Sequence, residues 1–258
     1  MVVMRGGMSA THLLRDPRVL MNLLAHERRQ KEQSEDRACP QSDTTLEMRK
    51  ELAYWILQVC ELQHCEEGVF PLAMSYIQIC LSLFPVPEDS MRLLGCTCLL
   101  LASKMKNEVP LTIATLEAYT GNTVLCHQIR EWEPFILKQM RWDLAVIVPH
   151  DFLDYMLDRV IFTSDMRSSL RKNAGAYLTL CSADCNLYKF APSLITVVCI
   201  AKAMWDFGLI MPPADDLFAC LSSLAETTTD QILACKTEIE GALSRYALED
   251  HTYVNLVF

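Results

Sequence analysis

The sequence of 258 residues predicts an all-α fold arranged as two helical units of similar size. Three observations carry this. Glycine is scarce, with 8 residues, which disfavours turn-rich β architectures. Half of the chain (51%) is hydrophobic, enough for a sizeable core, and the apolar residues fall in stretches of helical length and period. Pro17, Pro110, Pro149 and Pro192 stand at starts or breaks of these stretches, where a helix tolerates or ends at proline.

Taken in order, Asp16 followed by Pro17 reads as an N-cap with proline in the first turn, and Val19, Leu20, Leu23 and Leu24 form one apolar face. Residues 26–31 are expected to continue this helix as a solvated end, and residues 33–43, with Pro40, to be a linker. Residues 48–63 are amphipathic. Residues 69–83 are apolar on nearly all sides and should form a central helix, although Gln78 places an amide within it. A turn with Pro85 and Pro87 precedes a second strongly apolar helix at 90–106, whose small residues Gly95, Cys96, Thr97 and Ala102 allow close helix approach. Shorter helices at 111–120 and 127–140 complete the first unit. The second is expected to hold helices at 151–160, 165–181, 193–207, 215–225 and 229–247. Only the helix count repeats between the units. The expected division is 1–43 for the first helix and linker, 44–147 for the first unit and 148–258 for the second.

A formal net charge of -9 argues against general nucleic-acid binding, and no apolar run approaches the roughly 20 residues of a membrane span. Residues 1–8 lack the apolar core of a signal peptide, so an intracellular protein with reduced thiols is expected. The 12 cysteines include no Cys-x-x-Cys pair, and Cys96, Cys98 and Cys181 read as core fillers. His64 beside Cys65 and His150 beside Asp151 carry no triad signature and are expected in surface or capping roles. No phosphate loop or paired catalytic carboxylates occur, so neither a metal nor a cofactor is expected.

Several blocks in register then give a family resemblance. MRKELAYW at 48–55, CEEGVFPLAM at 65–74, LLLASKMK at 99–106, PLT at 110–112, RWDLA at 141–145 and PHDFL at 149–153 resemble D-type cyclins. LRK at 170–172, LCSAD at 180–184, APSL at 191–194 and ACKTEIE at 234–240 match more loosely. The resemblance implies the cyclin fold, two five-helix boxes in tandem with an N-terminal helix packed outside. It also implies a regulatory subunit, not an enzyme, that binds and activates a G1 cyclin-dependent kinase of the class four or six. Retinoblastoma-family substrates would be reached through the complex, in nucleus and cytoplasm. A non-activating decoy or adaptor is the alternative. Cyclin-like repeats that bind DNA as general transcription factors are opposed by the charge.

By the same resemblance, Lys104 and Glu133 match the family's main polar kinase contacts, with Met105 and Lys106 beside them. Arg49 and Leu93 match residues that stabilise the box. Arg49 ordinarily meets an Asp within a Leu-Asp-Arg pattern, which here reads Ile77-Gln78-Ile79, so the acid becomes an amide able to accept one guanidinium hydrogen bond. The family's docking patch for Arg-x-Leu substrates keeps Met48, Leu52 and Trp55. Glu51 replaces an apolar residue, Gln58 replaces the acid that meets the substrate Arg, and Arg92 replaces a Gln, so weak or altered docking is expected. The Leu-x-Cys-x-Glu retinoblastoma motif is absent from residues 1–16. The sequence ends soon after the last box helix, a short form like the viral cyclins of gammaherpesviruses or a diverged cellular paralogue.

Overall fold

The computed structural model describes residues 16–35, 45–158, 164–208 and 227–249. Among them are ten α-helices, two 3₁₀ turns and no strand. Helix α1 (Pro17–Glu35) precedes a first bundle of α2 (Leu46–Leu62), α3 (Val69–Leu83), α4 (Met91–Lys106), α5 (Ile113–Tyr119) and α6 (Cys126–Gln139). The second comprises α7 (His150–Leu157), α8 (Ser164–Ala183), α9 (Pro192–Asp206) and α10 (Thr229–Glu249). The helix expected at 215–225 lies outside the described residues.

The first bundle is built on α3 and α4, the most extensively packed pair of helices. On α3, ten side chains are buried, from Val69 to Leu81. On α4 the run from Leu93 through Ser103 is buried without a gap. Such all-round apolarity is what a helix enclosed by neighbours requires. Gly95 is the place of closest approach to α2: a Cβ there would stand 2.6 Å from Leu52 Cδ1. The expectation that small residues draw helices onto α4 is met at this point. In the second bundle α8 and α9 form the corresponding pair. Pro192 occupies the first turn of α9, and residues 193–201 are buried throughout.

Helix α1 differs from its expected form. It runs to Glu35, so residues 33–35, expected in the linker, are helical. Its polar half is solvated at Arg28, Arg29 and Lys31, as expected, but not at Glu27 and Gln30. Glu27 is 8% exposed and accepts hydrogen bonds from Ser193 N (2.7 Å) and Ser193 Oγ (2.8 Å) at the start of α9. Gln30 donates to Ala145 O (2.9 Å) and accepts from Ile147 N (3.1 Å) in the segment joining the bundles. Two polar side chains thereby tether α1 across the junction, while Leu20 and Leu24 bury its apolar face. Burial pushes the Glu27 carboxyl above the usual carboxylate range, against the two Ser193 hydrogen bonds.

The junction carries further bonds. Tyr76, fully buried on α3, donates to Leu144 O (2.7 Å). Arg171 on α8 forks between Glu67 of the first bundle (3.0 Å to each oxygen) and Asp154 on α7 (2.8 and 3.1 Å). His150, expected at the surface or as a cap, is half-buried: its Nδ1 is enclosed without a hydrogen-bond partner, and burial pushes its pKa down to about 4. At this helix start Asp151 Oδ2 accepts from Val148 N (3.0 Å), the residue before the Pro149 cap. His64 is exposed, as expected.

Candidate functional site

Helix α4 is buried through Ser103 and emerges at its last turn, so Lys104, Met105 and Lys106 are presented at a fixed point of the bundle. Ser103 shapes the turn beyond the helix. Its hydroxyl donates to Leu100 O (2.8 Å) and accepts from Leu111 N (3.1 Å), which folds residues 107–110 back on the helix end. Val109 is left exposed at the tip of that turn.

Lys104 Nζ donates to Glu133 Oε1 of α6 in an ion pair that joins two helices. The lysine is 43% exposed and the carboxylate 19%, so the pair sits at the rim with the cation outward. Two residues beyond Glu133, and therefore on another face of α6, Phe135 is an exposed ring that contacts Phe84 edge-on at 5.1 Å and Trp132 at 6.1 Å. Met105 and Val109 are exposed on the α4 side. The arrangement is one oriented cation with spare N–H donors, a carboxylate holding it, and exposed Met105 and Val109 close by in the chain. It suits a partner offering backbone carbonyls and an apolar helix face.

Lys106 is placed differently. Its Nζ donates to Asp151 Oδ1 (2.7 Å) at the start of α7, and its aliphatic stem lies against Gly68, where a Cβ would come within 3.3 Å. This side chain ties the two bundles together and does not stand beside Lys104. The sequence signal for this contact is Asp151, which in its own segment reads only as a helix start.

At the other end of α3, Arg49 Nη1 donates to Gln78 Oε1 at 3.3 Å. Both residues line a small cavity with Ala183, Cys185 and Tyr188 of the second bundle, so this contact lies on the junction. Leu93 is buried (7% exposed).

The six patch residues do not share one open surface. Met48, Trp55, Gln58 and Arg92 are half-buried and Glu51 is exposed, but Leu52 is 4% exposed and turned onto Gly95. Arg92 lays its guanidinium over Trp55, 4.6 Å from the ring centre, and Trp55 Nε1 donates to Tyr119 O (3.3 Å). Arg92 Nη1 is enclosed without a hydrogen-bond partner, and burial lowers the pKa of this guanidinium. Gln58 donates to Tyr54 OH (2.8 Å).

Glu27, Gln30 and Arg171 carry no functional signal in the sequence. Their partners lie 166, 115 and 104 residues away, and no local pattern announces such contacts.

Comparison with known proteins agrees with this architecture. Residues 18–145 match the model of the cyclin N-terminal domain. G1/S-specific cyclin-D3 of Mus musculus is 42% identical over 231 residues, covering 90% of this chain and 79% of that protein. G1/S-specific cyclin-D2 of Gallus gallus is 37% identical over 244 residues, covering 93% and 84%. Among solved structures, a viral cyclin from herpesvirus saimiri superposes with a TM-score of 0.72 at 21% identity, over 88% of this chain and 99% of that one. A chain of the CAK complex of Chaetomium thermophilum bound to ATP-gamma-S gives 0.58 at 16% identity, over 94% and 83%.

Proposed function

The chain belongs to the D-type cyclin family, and on that premise we propose that it binds a G1 cyclin-dependent kinase, of the class four or six, through the surface around Lys104 and Glu133 and holds it in its active arrangement. Cyclins are regulatory subunits of kinases and not enzymes themselves, so the chemistry belongs to the partner. A kinase needs its αC helix seated and its activation loop ordered. A surface that binds only that state shifts the population toward it by the difference in affinity for the two states. The observation that carries the reading is the inter-helix ion pair of Lys104 with Glu133, at the exposed end of α4 where Met105 and Val109 are also exposed. Retinoblastoma-family proteins are the proposed substrates of the complex, with nucleus and cytoplasm as its place of action.

Mixing the purified protein with such a kinase tests this. A stable complex that phosphorylates a retinoblastoma fragment is expected. Absence of a complex, or a complex indifferent to Lys104→Glu, overturns it.

A second reading is favoured by the Arg49–Gln78 contact, where an amide stands at the family's acid. A loosened first box would still dock the kinase as a decoy or adaptor. A stable complex with no gain in phosphorylation is its signature.

A further inference from the structure

The end of α2 closes in a paired-hydrogen-bond cap. His64 takes the left-handed conformation (φ 48°), His64 N donates to Glu61 O (3.1 Å), and Cys65 N donates to Cys60 O (2.9 Å). In this cap the residues joined by the longer-range bond turn their side chains toward each other, usually as an apolar contact. Here both are cysteines, and both are free thiols. A backbone hydrogen bond between the two residues also brings their Cα atoms into the range that a disulfide spans, roughly 4.4–6.8 Å.

The two thiols are not equivalent. Cys60 is buried, and the adjoining Cys65 sulfur together with burial pushes its pKa well up. Cys65 is half-buried, and the Cys60 hydrogen bond, with help from Asn107, pulls it down to about 7. Cys65 also opens onto a cavity of about 390 Å³ lined by Cys60, His64, His150, Arg171 and Lys172. The enclosed, unpartnered Nδ1 of His150 belongs to this lining, a polar atom for which the protein supplies no hydrogen bond. A partly exposed thiol of lowered pKa beside a resolving thiol, at a cavity wide enough for a small oxidant, is the arrangement of an oxidisable pair.

We propose that Cys60 and Cys65 form a reversible dithiol modification site that reacts with hydroperoxides. The Cys65 sulfur attacks the peroxide: an S–O bond forms, the O–O bond breaks, and the proton given up by the thiol leaves with the alcohol or water released. The Cys60 sulfur then attacks the sulfenic acid: an S–S bond forms, the S–O bond breaks, and water carries away the hydroxyl and the Cys60 proton. The two thiols lose two electrons and the peroxide gains them. The product is a covalent lock across the end of α2. Beyond it, Glu66 N donates to Asn107 Oδ1 (2.9 Å), so the locked turn is also bonded to the segment after Lys104 on α4.

An internal control exists. Cys181 and Cys199 also face each other, with sulfurs 3.7 Å apart, but both are buried and burial pushes Cys199 well up. The full chain is treated with a small excess of hydrogen peroxide, and the thiols remaining are alkylated and mapped by peptide mass spectrometry. The expected result is a Cys60–Cys65 disulfide that forms at least tenfold faster than oxidation of Cys181 or Cys199 and is reversed by dithiothreitol. Cys60→Ser should trap Cys65 as a sulfenic acid that takes dimedone, and Cys65→Ser should leave Cys60 unlabelled. The proposal falls if Cys65 in the unmodified sequence oxidises no faster than Cys199. It falls equally if Cys65 ends as an open sulfenic acid or a mixed disulfide with added glutathione while Cys60 stays reduced. The wild-type measurement decides the matter even where a serine variant unfolds.

Discussion

Each bundle has a central apolar helix with a lysine close to its end, and the two lysines are treated differently. In the first, Lys104 leaves α4 and pairs with Glu133 of α6, 29 residues away. In the second, Lys202 pairs with Asp206 on its own helix at 2.5 Å, under the ring of Tyr177, whose hydroxyl donates to the same carboxylate at 2.5 Å. A pair within one helix satisfies the charge where it stands and is worth a few tenths of a kcal/mol. A pair between helices fixes a cation in the frame of the whole bundle, which is what recognition of an external partner requires. The first bundle also exposes Met105 and Val109 close after its lysine. On the proposed function, the first bundle would carry the recognition surface, while Arg171 and Asp151 of the second brace the junction.

Charge reversal gives the largest expected separation between the two. Lys104→Glu places a carboxylate against Glu133 and removes the donor, so kinase affinity should fall about a thousandfold, roughly 4 kcal/mol. Lys202→Glu should leave affinity within about threefold, because Lys202 belongs to the second bundle and pairs on its own helix. Calorimetric titration of both variants with the kinase checks this. Equal losses would mean that the second bundle shares the interface.

The junction makes a second contrast, between half-buried His150 and buried Glu27, two ionisable groups with opposite pH responses. His150 has a folded pKa of about 4 against an ordinary 6.5. The unfolded chain binds the proton first as pH falls, so stability is full above about pH 6.5 and is lost on descending toward 4, by up to about 3 kcal/mol. Glu27 has a raised folded pKa. The folded chain then holds its proton to higher pH than the unfolded one, so this group favours the fold below its ordinary value and withdraws that support as pH rises through the folded pKa. Denaturant melts between pH 4 and 7 should show His150→Asn flattening the acid-side loss, while Glu27→Gln should remove the smaller opposing slope. A profile unchanged by either variant would place the titration elsewhere.

Much of this is legible in the sequence, and what is not legible shares one cause. Helix α3 is bounded as Val69–Leu83 by its sequence alone, because a run apolar on nearly all sides reads as an enclosed helix. The closeness of α4 to its neighbours is announced by Gly95. Gln78 stands out because an amide in an apolar run needs a partner. Glu27, Gln30, Lys106 and Arg171 look like ordinary solvated charges and amides in their own segments. Each becomes structural only when a partner more than forty residues away is folded against it. Periodicity reports which face is apolar and is silent on which polar residue of the other face meets another unit.

Gln78 sharpens the contrast at smaller amplitude. A carboxylate in its place turns a neutral acceptor for Arg49 into a charged one, and charge-assisted hydrogen bonds are roughly twice as strong as neutral ones. Gln78→Glu keeps the reach of the side chain and Gln78→Asp restores the family residue. Either should stabilise the fold by about 1 kcal/mol, read as a higher denaturation midpoint at unchanged slope. If both leave stability and kinase affinity where they were, the amide serves Arg49 as well as an acid does.

The smallest expected effect lies at the six residues that match the family's docking patch, where two explanations of weak docking make different predictions. Arg92 covers the face of Trp55 at 4.6 Å and would repel an incoming Arg, while Gln58 offers no acid to receive it. Arg92→Gln loses a cation–π contact of about 0.5–1 kcal/mol but also removes an enclosed, unpartnered Nη1, so stability should change little. It should tighten binding of an Arg-x-Leu peptide by a few-fold, and adding Gln58→Glu should supply the counter-charge and tighten it further, both measurable by peptide titration. The competing explanation is steric. Leu52, the apolar centre of the patch, is packed onto Gly95 and is 4% exposed, so no exchange of surface charge makes it available. A peptide that ignores both substitutions would assign the weak docking to the α2–α4 contact, and the close packing of the first bundle would then itself decide which substrates it excludes.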